Sequence, residues 1–218
     1  MLLKPLALIA AGVVAWPVGH AHAIEVYGGA GLPGITVGVA ESINADLTMR
    51  ADLSALSTIS VDRVESGIRY EGESTIRRLG VFADWYALGN GFRLTGGLTF
   101  NQMRFDLQGR PDGDTIMIGD TVYAVGADDR FTARIEYPRV TPYVGIGWGH
   151  HNVGRGWGFH ADLGVSIGRA SVSASVTGNL ATQPGIQDDV DRELAELRDY
   201  VDRLRVIPQI SLGVSYRF

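Results

Sequence analysis

The sequence predicts an all-β fold: a transmembrane antiparallel up-and-down β-barrel of eight strands, with one amphipathic helix in its last external loop. Three observations carry that expectation. Segments along the whole chain alternate apolar residues with small or polar ones at period two. The longest uncharged apolar stretch, 6–16, has eleven residues, whereas a spanning helix needs roughly 20. The chain also closes on an alternating segment with a terminal aromatic, Tyr216-Arg217-Phe218.

The first 23 residues read as a secretory signal peptide. Lys4 supplies the positive start, 6–16 the apolar run, Pro17 and Gly19 the break, and Ala21-His22-Ala23 a small-x-small cleavage site. Cleavage after Ala23 leaves 24–218 as the barrel. That portion carries 18 Arg, no Lys and 24 acidic residues, a net charge of −6. The absence of Cys excludes disulfides and thiolate chemistry, and the negative charge argues against a nucleic-acid partner. Glycine, at 27 residues after cleavage, is about twice its usual share, which suits closely packed strands.

The strands follow in order. A first hairpin, 24–31 and 34–42, turns at Gly31-Leu32-Pro33-Gly34, and its first strand is short for a crossing. In 45–57, Leu47, Met49, Ala51 and Leu53 alternate with Thr48, Arg50, Asp52 and Ser54. In 73–87, Leu79, Val81, Ala83 and Trp85 alternate with Arg78, Gly80, Phe82, Asp84 and Tyr86. In 92–105, Leu94, Gly96, Leu98 and Phe100 alternate with Arg93, Thr95, Gly97, Thr99 and Asn101. The segment 139–150 sets Pro142, Val144, Ile146 and Trp148 against Tyr143, Gly145, Gly147 and Gly149. The segment 157–177 opens with Trp157, Phe159, Ala161, Leu163, Val165 and Ile167 against Gly158, His160, Asp162, Gly164 and Ser166. The last strand, 207–218, sets Ile210, Leu212, Val214, Tyr216 and Phe218 against Gln209, Ser211, Gly213, Ser215 and Arg217. A soluble barrel would show long polar side chains on its second face; here that face is small residues and a few charges, as a narrow lumen requires. Aromatic residues gather toward segment ends, as in membrane girdles.

Connection lengths set direction. Short turns near 43–44, 89–91 and 153–156 alternate with long segments 58–72, 106–138 and 178–206. Short turns belong in the periplasm and long loops outside, so the C-terminus is periplasmic and an even strand count places the N-terminus there too. Ten strands is the competing count, because 115–125 reads as a hairpin around Gly119-Asp120. We read that hairpin as an extension above the membrane.

On this register Glu25, Arg50, Asp52, Arg78, Asp84, His160, Asp162 and Arg217 line the lumen, four acids against three Arg. Eight strands leave an interior just wide enough for side chains, and buried charges must be paired. The near balance fits an ion-paired plug; a route that hands a small cation inward is the functional alternative. His150 and His151 are adjacent and face opposite sides of a strand, which argues against a shared metal. His160, Asp162 and Ser166 share a face but stand too far apart along one strand for a nucleophile–base pair. No enzyme activity, metal or cofactor is expected.

The helical segment, 187–205, carries Val190, Leu194, Leu197, Val201 and Leu204 on one stripe between Pro184-Gly185 and Pro208. It is too acidic for a membrane-surface helix. It is expected over the barrel mouth or on its rim; the alternative is that it simply packs its stripe on the neighbouring hairpin. The three long segments together carry a net charge of −8. Asp112, Asp114, Asp120, Asp128, Asp129, Asp188 and Asp189 are the external acids that would concentrate cations, keep the surface soluble, or bridge through divalent ions to lipopolysaccharide.

The order Thr141-Pro-Tyr-Val-Gly-Ile-Gly-Trp148, then Trp157-Gly-Phe-His-Ala-Asp-Leu-Gly164, an acidic helix over 188–202, and Pro208-Gln-Ile-Ser-Leu-Gly-Val214 resembles the CarO-type small outer-membrane proteins. The likeness is clearest over 140–218. It implies an eight-stranded barrel in the bacterial outer membrane and a link to uptake of ornithine and other basic amino acids. The expected function is passage or capture of small cationic solutes, with a non-transporting surface barrel for envelope integrity or adhesion as the alternative. Expected partners are outer-membrane lipid and lipopolysaccharide, and the barrel-assembly machinery, which would read Tyr216 and Phe218 in the last strand.

Overall fold

The computed structural model describes residues 24–65, 68–88, 90–111, 115–118, 121–151, 154–202 and 205–218. The expected signal peptide lies outside the described residues. The barrel wall is built from β1 (Ile24–Leu32), β2 (Gly34–Ser42), β3 (Leu47–Glu65), β4 (Ile68–Trp85) and β5 (Phe92–Pro111). The connection after β5 carries a small hairpin, β6 (Thr115–Ile118) and β7 (Thr121–Ala124), and then β8 (Arg130–Glu136). The wall resumes with β9 (Val140–Trp148) and β10 (Gly156–Ile167), leaves it for β11 (Ser171–Thr177) and helix α1 (Ile186–Asp202), and ends with β12 (Val206–Arg217).

Eight strands form a closed antiparallel ring in the order β1-β2-β3-β4-β5-β9-β10-β12, with β12 pairing back onto β1. The hairpin β6–β7 is a separate two-stranded sheet, so the count is eight rather than ten. Ile24, the C-terminus and three short turns lie at one end, the periplasmic end by the usual rule for such barrels.

The alternation read from the sequence sorts the two faces. Val37, Leu53, Val81, Leu98, Val144, Leu163 and Leu212 point outward and are exposed, while Thr48, Asp84, Thr99 and Ser215 are fully buried inside. An apolar exterior on every wall strand has no aqueous solution, and lipid is the medium that covers it. Trp85, Trp148, Trp157 and Phe218 all sit outward at the periplasmic strand ends, forming an interfacial girdle. Among the described residues no helix is long and apolar enough to cross a membrane.

The structure departs from the expected strand limits outside the membrane. The long segment 58–72 is mostly strand, with β3 and β4 paired up to Glu65↔Ile68 across one irregularity between Leu56 and Ile59. Likewise, β5 continues to Pro111, and its upper half pairs with β8, which pairs with β11. The expected strand 157–177 is therefore two strands broken at 168–170, and its second half belongs to this extension. Alternation continues above the membrane, with Phe131, Ala133 and Ile135 of β8 and Val172, Ala174 and Val176 of β11 each on one face, but there the apolar face is turned to the extension's own core.

The extension has its own core. Val172 and Val176 of β11, Ile116 and Tyr123 of the hairpin, Leu180, and Ile186, Val190, Leu194 and Val201 of α1 are buried together, with Phe131 and Ile135 of β8 packed against them. The register Phe105↔Ile135 continues the inward face of β5, so α1 stands on the axis-facing side of the extended sheet. The helix packs its stripe on β11 and the β6–β7 hairpin, the alternative to the expected place over the mouth or on the rim. Ile186 joins its stripe, Leu197 stays partly exposed, and Leu204 lies outside the described residues.

Candidate functional site

The lumen owes its shape to large side chains laid over glycine. A Cβ on Gly38 would collide with the Tyr27 ring, on Gly80 or Gly97 with Phe82, on Gly145 or Gly164 with Tyr143, on Gly147 with Arg93, and on Gly213 with His160. Each glycine gives a neighbour's inward side chain room to lie flat against the wall. That is where much of the glycine excess goes.

Two charge clusters then fill the middle. In the first, Arg50 forms a two-pronged ion pair with Asp84 and also reaches Asp162, Nη2 to Oδ1 3.1 Å. Arg93 lies 2.6 Å from the same Asp162 oxygen and 3.3 Å from Asp84. Thr95 donates to Asp84 at 2.7 Å. In the second, Arg78 pairs with Asp52 at 2.7 Å, donates to Ser54 at 2.9 Å and bonds the Gln209 side chain. Tyr27 donates its hydroxyl to Asp52, and Gln209 donates to Ser166 at 2.5 Å. The guanidinium groups of Arg50 and Arg78 both stack near the Phe82 ring, at 5.2 and 5.6 Å.

A third group sits toward the periplasmic end. His150 Nδ1 meets Glu25 Oε1 at 2.5 Å, Arg217 approaches the other Glu25 oxygen at 3.6 Å, and Arg217 donates to Ser42 at 2.7 Å. The rings of His150 and His160 stack at 4.7 Å, and Tyr27 meets both edge-on.

All eight charged lumen residues expected from the sequence point inward, and all but Asp162 are buried. Sequence reasoning left out Arg93, although its place on the small and polar face of its strand is the signal that finds it. With Arg93 the described lumen holds four Arg against Glu25, Asp52, Asp84 and Asp162. His150 was also missed. Strand alternation does not reach it, because Gly149 (φ 98°) and His150 (φ 59°) turn the chain back on itself at the end of β9. Ser166 is occupied by Gln209 and Thr99, and His160 by aromatic neighbours, so no nucleophile–base pair forms.

The opening lined by Tyr27, Arg50, Asp52, Arg78, Phe82 and Tyr143 amounts to a cavity of about 20 Å³, room for roughly one water.

The external acids divide. Asp128 and Asp188 are exposed, whereas Asp129 and Asp189 are buried. Asp129 accepts the backbone N–H groups of Gly126 (2.8 Å) and Leu180 (3.0 Å), and Asp189 accepts the Tyr123 hydroxyl at 2.6 Å. Backbone N–H groups hold the Asp129 carboxyl below the usual range, and the Tyr123 hydroxyl does the same for Asp189. Asp112, Asp114 and Asp120 lie outside the described residues. At the C-terminus Tyr216 meets Trp157 and Phe218 edge-on, at 5.2 and 5.0 Å.

No family model matches the chain, and no curated protein does. Among solved structures it is similar to CarO2 of Acinetobacter baumannii, at 15% identity over 90% of this chain and 98% of that one, TM-score 0.59. It is also similar to CarO of the same organism, at 16% identity over 90% and 97%, TM-score 0.54. A major outer membrane protein of Thermus thermophilus matches at 16% identity over 91% and 100%, TM-score 0.45. The fold is thus that of the CarO-type barrels, and its apolar outer belt is the surface of a β-barrel set in lipid.

Proposed function

We propose that the protein is a closed, non-catalytic surface barrel that anchors a folded β/α layer outside the outer membrane and serves envelope integrity or adhesion. The observation that carries this reading is the one-for-one pairing of four Arg with four carboxylates across the lumen, around a cavity with room for about one water. Opening a pore would strip buried charges of partners at several kcal/mol each. The external acids keep the outer layer soluble and offer divalent-ion bridges to lipopolysaccharide. The last strand, through Tyr216 and Phe218, presents the chain to the assembly machinery once the signal peptide is removed.

A second reading is favoured by the charge of the three long external segments, a net −8 in the sequence. Such a surface concentrates small cations, basic amino acids among them, and their passage would require the Arg50–Asp84–Arg93–Asp162 cluster to open. Liposome swelling with the refolded barrel separates the two. The closed reading expects no swelling above empty liposomes with ornithine, arginine, glutamate or a neutral sugar. Swelling with all of them overturns it. Swelling confined to ornithine and arginine, and lowered by Asp162→Asn, establishes the second reading instead.

A further inference from the structure

We propose that His150, His160 and Asp162 form a binding site for one divalent transition-metal ion of the imidazole-binding class, such as zinc or cobalt, at the periplasmic side of the lumen. One ligand atom from each residue lies within 4.8 Å of the others. A tetrahedral centre with bonds of about 2.1 Å sets its ligand atoms roughly 3.4 Å apart, so modest side-chain rotation closes the set.

Three independent features point to a ligand here. His150 Nε2 and His160 Nδ1 are buried nitrogens without a hydrogen-bond partner, on residues only 1% and 4% exposed. Buried polar atoms of that kind ordinarily find one. Next, Glu25 holds the other nitrogen of His150: a carboxylate only accepts, so Nδ1 carries the proton and Nε2 presents its lone pair. A carboxylate behind a histidine is the standard outer support of a metal ligand. Last, His150 adopts φ 59°, left-handed backbone in a residue other than glycine, and the turn it makes carries its ring back into the lumen.

Charge and donor type narrow the ion. Asp162 Oδ1 is already held by Arg50 and Arg93, leaving Oδ2, whose neighbour Ser211 is 3.4 Å away. The surrounding acids and Arg cancel, so the site has no net negative charge with which to hold calcium or magnesium, ions that want several oxygens. Two imidazoles and one carboxylate oxygen suit zinc, cobalt or nickel.

The test uses the tag-free chain from Ile24 refolded in detergent, which keeps His150, His151 and His160 and lacks the two His of the leader. Zinc titration is expected to give one ion per chain, and cobalt(II) the visible absorption of a low-symmetry imidazole site, with calcium and magnesium giving neither. His160→Gln and His150→Gln should each weaken zinc binding at least tenfold, and His151→Gln should leave it unchanged. Heat-modifiable gel mobility checks that each variant folds. Zinc-edge X-ray absorption on the wild-type chain keeps the test decisive if a variant fails to fold, since two imidazoles in the first coordination sphere are expected. Absence of stoichiometric zinc, unchanged binding in folded His160→Gln, or a zinc environment without imidazole overturns the proposal.

Discussion

Arg50 and Asp162 stand on diametrically opposite strands of the eight-membered ring, β3 and β10, and yet Arg50 Nη2 lies 3.1 Å from Asp162 Oδ1. Arg78 on β4 and Gln209 on β12 are likewise opposite, and they too are bonded. Two cross-lumen ties at different heights mean that opposing walls touch through polar side chains. An eight-stranded barrel permits this because its interior is only about as wide as two long side chains. Hydrophobic packing in a soluble protein fills such a core; here lipid takes the apolar residues and the core is left to charge.

The cluster around Asp162 should be sensitive to loss of a single partner. Arg93 is fully buried, and Arg93→Ala would leave Asp84 and Asp162 sharing Arg50. Removing one member of a buried pair costs about 3–5 kcal/mol because the other charge is stranded. Urea unfolding of the refolded barrel, followed by gel mobility, measures it. A loss below about 1 kcal/mol would place these charges in the exposed class of ion pairs and count against a closed lumen.

Neighbouring glycines should respond in opposite ways. A Cβ on Gly97 would meet the Val81 carbonyl and the Phe82 ring, whereas a Cβ on Gly96 meets nothing within 4 Å. Gly97→Ala is expected to destabilise the barrel by about 1–3 kcal/mol through overpacking. Gly96→Ala, on the lipid face, should fall within about 0.5 kcal/mol of the parent. Equal effects at the two positions would mean that the glycines do not make room for the lumen side chains.

The barrel was legible in the sequence wherever one face met lipid and the other the lumen. Thr48, Arg50, Asp52 and Ser54 fall inside and Met49 and Leu53 outside, as period two requires. The signal failed to mark the limit of the membrane, because β8 and β11 keep the same alternation while packing Phe131, Ile135, Val172 and Val176 into the core with α1 and the β6–β7 hairpin. It also failed where glycine re-aims the chain, since nothing in a two-residue periodicity places His150 beside Glu25. Asp129 and Asp189 look like surface acids by composition, and only the fold shows their oxygens spent on backbone and hydroxyl donors.

The external layer should detach without the barrel. Val190 and Leu194 of α1 are buried against β11 and the β6–β7 hairpin, in a core separate from the lumen. Val190→Asp places an unpaired charge there and is expected to expose 179–202 to protease while the heat-modifiable mobility of the barrel persists. Simultaneous loss of both would make the layer part of the barrel's own folding unit.

Acid should loosen the same layer. Asp129 ties the turn before β8 to the chain entering α1 through the N–H groups of Gly126 and Leu180, and Asp189 ties α1 to Tyr123 of β7. Both carboxyls titrate below their ordinary value in the folded chain because the donors favour the ionised form. A depressed folded pKa gives stability that is complete above the unfolded value, near 3.9 for Asp, and is lost as pH falls through the folded value. The layer should therefore hold from neutral pH down to about 4 and open below it. Pepsin cleavage within 179–202, normalised to a denatured control at each pH, should rise steeply under pH 4. Asp129→Asn keeps one acceptor oxygen but removes the charge, so it should raise cleavage already at pH 5 and flatten the profile. A normalised profile that stays level in the wild-type chain from pH 5 to pH 2 would show that these two carboxylates do not hold the layer in place.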